Sequence, residues 1–179
     1  ENTEDASKAK LTIAAESTVA MLGHLQAGDR FGMVLFSDDA YLAKPLSKVE
    51  ETDMAAIGRH ILDLTALDST NMEAGYQMGA GMLAELGQVD PAVYENRIIL
   101  LTDAMPNTGD TSAESLSGMV ASNADARIFT TFIGIGVDFN SSLVELMTKT
   151  RGANYYAVHS STEFKQRMDE EFDFMVKIE

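Results

Sequence analysis

"NRIILLTDAMPNTGD" (96–110) sets an apolar run, Ile98 to Leu101, directly against Thr102-Asp103, and then breaks into Met-Pro-Asn-Thr-Gly. Four consecutive large apolar residues have no polar face to offer water. A strand of this kind belongs in a sheet covered on both sides, which is the habit of parallel strands. A carboxylate at the end of such a strand, with a turn behind it, falls where the loops of an open α/β sheet gather their ligands.

Working outward, helical and strand-type patterns alternate. Leu11, Ala15, Val19, Leu22 and Leu25 recur at three- and four-residue steps and predict a helix from Thr3 to Gln26, closed by Ala27-Gly28-Asp29. "FGMVLFS" (31–37) and "AYLAKPLS" (40–47) read as two strands joined by the short Ser37-Asp38-Asp39 link, hence an antiparallel hairpin. Pro45, lacking an amide hydrogen, assigns the second strand to a sheet edge. Met54, Ile57, Ile61 and Leu64 mark a second helix. Met72, Tyr76, Ala80, Leu83 and Leu86 mark a third, whose Gly75, Gly79 and Gly81 imply close packing on a sheet.

Beyond the strand 97–102, "TSAE" (111–114) is a capping box that opens a helix through Val120. "ARIFTTFIGIG" (126–136) is a buried strand. "SLVE" (142–145) opens a further helix stopping at Arg151-Gly152, with Gly152 as a left-handed cap. "NYYAVH" is the last strand, and "SSTE" (160–163) caps a final helix with Phe164, Met168, Phe172 and Met175 on one face. The expected fold is α/β: doubly wound, a mostly parallel sheet with one antiparallel edge strand and helices on both faces.

Composition narrows the partners. The 179 residues suffice for one domain that buries roughly 70% of its unfolded surface. A formal net charge of −15 and a pI near 4.4 repel nucleic acid and anionic lipid. The absence of cysteine excludes disulfides and thiolate metal sites. No apolar run is long enough for direct membrane insertion.

Asp103 and Thr70 are candidate metal ligands, one carboxylate and one hydroxyl on neighbouring loops. That oxygen-only set suits a hard cation such as Mg²⁺, with Mn²⁺ or Ca²⁺ as substitutes. Each also has a plain structural reading, Asp103 as a turn residue and Thr70 as a helix cap. His24, His60 and His159 are too scattered for a zinc set or a catalytic triad. No Gly-x-x-x-x-Gly-Lys loop is present.

Several stretches together carry a family resemblance. "LTIAAESTVAMLGHLQAGDRFGMVLFSDDA", with its Leu-x-x-Gly-Asp-Arg turn, "STNMEAG", "IILLTDAMPN" and "FIGIGVDFNSSLVELMTKTRGANYYAV" resemble, in order, landmarks of von Willebrand factor type A domains. The resemblance implies a metal-ion-dependent adhesion site in which Thr70 and Asp103 supply two of five ligands. The other three belong to an Asp-x-Ser-x-Ser loop after a first strand, expected upstream of residues 1–179 of a single domain. Ala104 stands where the family has glycine, and Asp68-Ser69 where it has Gly-Gly.

The implied function is metal-assisted binding of a protein partner that offers an acidic side chain, with Asn71, Met105 and Asn107 on the rim. The implied role is not enzymatic, and a cell-envelope or extracellular location is favoured. Two alternatives stay open: a metal-dependent hydrolase or phosphotransferase, which would need a general acid/base and a phosphate-binding cation near the strand ends, and a scaffold that binds without metal.

Overall fold

The computed structural model describes residues 3–65, 71–103, 111–136, 145 and 149–176. Among these residues the longer helices and the strands follow in the order α1 (Thr3–Leu22), β1 (Arg30–Phe36), β2 (Ala40–Lys48), α2 (Met54–Leu62), α3 (Met72–Ala84), β3 (Asn96–Thr102), α4 (Thr111–Asp125), β4 (Ile128–Ile135), β5 (Asn154–Val158) and α5 (Ser161–Val176). Strands β3, β4 and β5 form a parallel sheet with β4 in the middle, and β1 pairs antiparallel with β2. The expected α/β architecture stands. The strands nevertheless form two sheets among the described residues, because β1 and β3 share no ladder. Helix α3 packs against β1, β2 and β3 and so spans both.

The apolar strands still obey the two-residue period of a pleat. Ile133 and Ile135 of β4 point to one side, with Ile99 and Leu101 of β3, and pack against Met21 of α1 and Phe164 and Met168 of α5. Phe132 and Leu100 point to the other side, against Tyr76 of α3 and Leu116 and Val120 of α4. Each side chain as deeply buried as Phe132 or Phe164 contributes about 1.5–3 kcal/mol. Helices therefore cover both faces. On α5, Phe164 and Met168 are core and Phe172 is half-buried, while the side chain of Met175 falls outside the description.

Local chemistry decides the element ends. Helix α1 stops at Leu22 rather than Gln26. The amides of His24 and Leu25 turn back to the carbonyls of Met21 and Leu22, and that of Gln26 bonds the Asp29 carboxylate at 2.7 Å. Helix α4 runs past Val120 to Asp125, where Asn123 donates to the Tyr76 hydroxyl. Ser160 caps α5 as expected, accepting from the Glu163 amide at 3.1 Å.

Of the three glycines on α3, one is required by packing. A Cβ on Gly75 would lie 2.5 Å from the Phe36 ring, whereas Gly81 faces open space. Gly152 has the expected positive φ, +70°, and a Cβ there would lie 2.5 Å from Phe129. Of the helix expected ahead of it, residues 142–144 and 146–148 lie outside the described residues; Lys149 and Glu145 form an i,i+4 pair at 2.9 Å.

Candidate metal centre at the strand ends

The parallel strands run in one direction, so the carboxyl ends of β3, β4 and β5 share one pole of the domain. The tip of the β1–β2 hairpin is bound to the start of α3, the helix that also packs against β3. Asp103 follows β3 directly and is exposed, whereas Thr102 before it is buried. The Asp103 carboxylate makes no hydrogen bond or ion pair among the described residues. It is thus an open hard-oxygen donor, of the kind a divalent cation takes.

The hairpin tip is tightly turned: the amide of Ser37 donates to the carbonyl of Asp39 at 2.9 Å. Asn71 joins it to α3. Its amide donates to the Ser37 carbonyl at 2.6 Å, its Nδ2 to the Asp38 carbonyl at 3.1 Å, and its Oδ1 accepts from the Ala74 amide at 3.1 Å. Sequence reasoning placed Asn71 near a helix start but did not find these ties; the signal was an Asn three residues before Ala74, at N-cap spacing.

Thr70, Met105 and Asn107, together with Asp68, Ser69 and Ala104, lie outside the described residues. Among the described residues, no group of three or more carboxylates or histidines is placed to hold a metal ion. The donors present fit a divalent ion in kind, and Asp103 is the ligand candidate whose position is known.

Two cations on the strands, Arg97 and Lys44, are engaged internally. Arg97 opens β3 at the opposite pole, with its side chain 5% exposed. It donates to Thr131 Oγ1 at 3.0 Å and to the Gly152 carbonyl at 2.7 Å, over the Phe129 ring. Burial lowers its pKa, and the charge of Glu95 opposes that shift. Lys44, inward-facing on edge strand β2, donates to the carbonyls of Phe31 and Pro45 and to the Ser47 hydroxyl, and burial lowers its pKa too. The histidines stay apart: His24 stacks on Phe172 at 5.0 Å and lies 3.2 Å from the Asp169 carboxylate, while His60 and His159 are exposed.

A sequence profile of the von Willebrand factor type A domain matches residues 2–170. The chain belongs to this family. It is 24% identical over 157 residues to human inter-alpha-trypsin inhibitor heavy chain H4, a match that covers 86% of this chain and 17% of that protein. The chain therefore spans under a fifth of that curated relative's length.

In fold it is similar to an aerotolerance-related membrane protein from Bacteroides fragilis, with a TM-score of 0.66, 16% identity, and 92% and 89% of the two chains covered. It is equally similar, at a TM-score of 0.66 and 19% identity, to proximal thread matrix protein 1 of the mussel byssus, whose metal-ion-dependent adhesion site holds zinc. That match covers 93% of this chain and 43% of the mussel protein. Domains of the family generally mediate metal-dependent protein–protein interaction and are generally not enzymes. Among the described residues of this chain, no helix is long and apolar enough to cross a membrane.

Proposed function

We propose that this von Willebrand factor type A domain binds a protein partner through a divalent cation, Mg²⁺ before Mn²⁺ or Ca²⁺, held by Asp103 and Thr70. The observation that carries the reading is the exposed Asp103 carboxylate at the end of parallel strand β3, without a partner among the described residues. Hydroxyl and carboxylate ligands leave such an ion short of negative charge, and an open position then attracts a carboxylate from the partner. A local positive centre of this kind also lets a chain of net charge −15 engage an acidic group. Asn71, Met105 and Asn107 form the rim. An envelope or extracellular location accords with the reading.

We further propose that an upstream strand, with an Asp-x-Ser-x-Ser loop at its end, lies between β1 and β3. Its support is physical. β1 pairs only with β2 and β3 only with β4 among the described residues, while α3 covers both. Backbone groups buried there without partners would cost about 1–3 kcal/mol each. Hydrogen exchange on the full-length protein checks this: slow amides on both β1 and β3 edges are expected, and fast exchange at both rules it out.

Calorimetric titration with Mg²⁺ or Mn²⁺ tests the site itself. Saturable binding by the full-length protein, abolished in Thr70→Ala and in Asp103→Asn, is expected. Wild-type protein that takes up no ion while still capturing its partner would favour the metal-free scaffold. Phosphatase activity abolished by Asp103→Asn would favour the enzyme. Against that enzyme stands Arg97, the cation of the same strand, buried at the far pole and bonded there.

A further inference from the structure

Strand β2 pairs with β1 and with no other strand among the described residues, so its outer side is a sheet edge. An open edge is a template for another strand unless something guards it; inward charges, prolines and bulges are the usual guards. One half of β2 has all three. Lys44 is turned inward, Pro45 offers no amide, and both register shifts of the ladder fall between Leu42 and Ser47.

The other half has none. From Phe36–Ala40 to Val34–Leu42 the ladder is regular. The Ser37 amide donates to the Asp39 carbonyl, so the next pair, Phe36 and Ala40, is a non-hydrogen-bonded one. Alternation then turns the amide and carbonyl of Ala40, and again those of Leu42, away from β1. No strand takes them up among the described residues. Tyr41 and Leu42 are 51% and 52% exposed, and Ala43 is exposed beside them.

Charge selects the occupant. Asp38 and Asp39 flank this half, both exposed, and neither carboxylate has a hydrogen bond or ion pair among the described residues. The lysines of the strand do not offset them: Lys44 is bonded inward, and Lys48 lies at the far end, 3.5 Å from Glu50. A second copy of this chain would bring the same carboxylates and a further net charge of −15. A cationic strand is the complement.

We propose that residues 40–43 of β2 dock an extended basic segment of a partner protein by strand addition. The segment runs antiparallel to β2 and exchanges hydrogen bonds with Ala40 and Leu42. It lays apolar side chains beside Tyr41 and Leu42 and sets lysine or arginine against Asp38 and Asp39. Neither the cation site nor the upstream strand, which would lie beyond β1, takes part.

Leu42→Pro isolates the edge, because it removes an amide that β1 does not use. Full-length protein is titrated into a fluorescently labelled Thr-Val-Thr-Val-Lys-Lys peptide, read by polarisation, beside thermal unfolding. Saturable binding is expected. Leu42→Pro should weaken it about tenfold, the scale of one lost hydrogen bond, while unfolding at the wild-type temperature. Leu42→Ala keeps the amide and should weaken it less. Replacing Asp38 and Asp39 together by asparagine should weaken it about threefold and flatten its salt dependence.

The same peptide N-methylated at alternate residues cannot pair with a strand, a check that needs no variant; binding as tight as the parent's overturns strand addition. Full binding by Leu42→Pro, or none by wild-type protein at millimolar peptide, overturns it as well. Binding that survives exchange of the two peptide lysines for glutamates overturns the basic partner. Self-association of the full-length protein that Leu42→Pro abolishes makes the occupant a second copy and overturns the partner segment.

Discussion

Strand β3 carries a charge near each end, and the two are treated in opposite ways. At the amino end Arg97 is buried, and Thr131, the Gly152 carbonyl and the Phe129 ring surround it. At the carboxyl end Asp103 stands in solvent with no partner among the described residues. A buried charge is tolerated only when the fold supplies its partners, so Arg97 is committed to holding β3, β4 and the turn before β5 together. An exposed carboxylate needs no such support and remains available. One pole of the sheet is closed by its own chemistry, and the other is left open to a ligand.

The sharpest way to break the closed pole is Gly152→Ala. Its φ of +70° disfavours any side chain, and the new methyl group would press into buried Phe129. A loss of about 3 kcal/mol is expected in urea denaturation, from the left-handed backbone and the overpacking together. Arg97→Met comes next. Methionine fills the space but leaves the Gly152 carbonyl and the Thr131 hydroxyl short of a donor, so about 2 kcal/mol should be lost.

At the open pole, Asp103→Asn should shift stability by less than about 0.5 kcal/mol, the usual range for an exposed site, while abolishing ion binding. A large destabilisation would mean that Asp103 is structural after all, and the contrast between the poles would vanish.

The smallest effect concerns Tyr76, whose hydroxyl meets Thr130 at 2.9 Å and Asn123 at 3.2 Å inside the sheet–helix layer. Burial raises its pKa above the ordinary 10.0, against the opposing pull of those two hydrogen bonds. The folded protein thus keeps a phenolic proton that the unfolded chain gives up. Stability is full below pH 10 and falls as pH rises through the folded value. Tyr76→Phe should flatten that alkaline limb in denaturation midpoints measured between pH 8 and about 11.

Much of this was legible beforehand where a local signal had a local cause. Ser160 caps α5 through a bond three residues away, and Gly152 adopts the turn that its glycine permits. Helix ends without such punctuation were not legible. Gln26 shares the apolar period of α1, but its amide prefers the Asp29 carboxylate. Asn123 breaks the period of α4, yet it stays helical and donates to Tyr76 on another helix. The three glycines of α3 look alike in sequence, and only a ring arriving from β1 makes Gly75 different from Gly81.

The same division holds for the site. Sequence by itself determined the layer order, the two-residue alternation that sends Phe132 and Ile133 to opposite faces, and the place of Asp103 after an apolar strand. Those follow from short-range steric rules and from the exclusion of apolar side chains from water. Only the tertiary structure decided that Arg97 faces inward, that Lys44 is buried on an edge strand, and that Asn71 holds a hairpin tip 33 residues away. A charged or amide side chain is silent about its partners until the backbone has carried them within hydrogen-bond reach, because such bonds fade over a few tenths of an ångström and no sequence spacing encodes that distance.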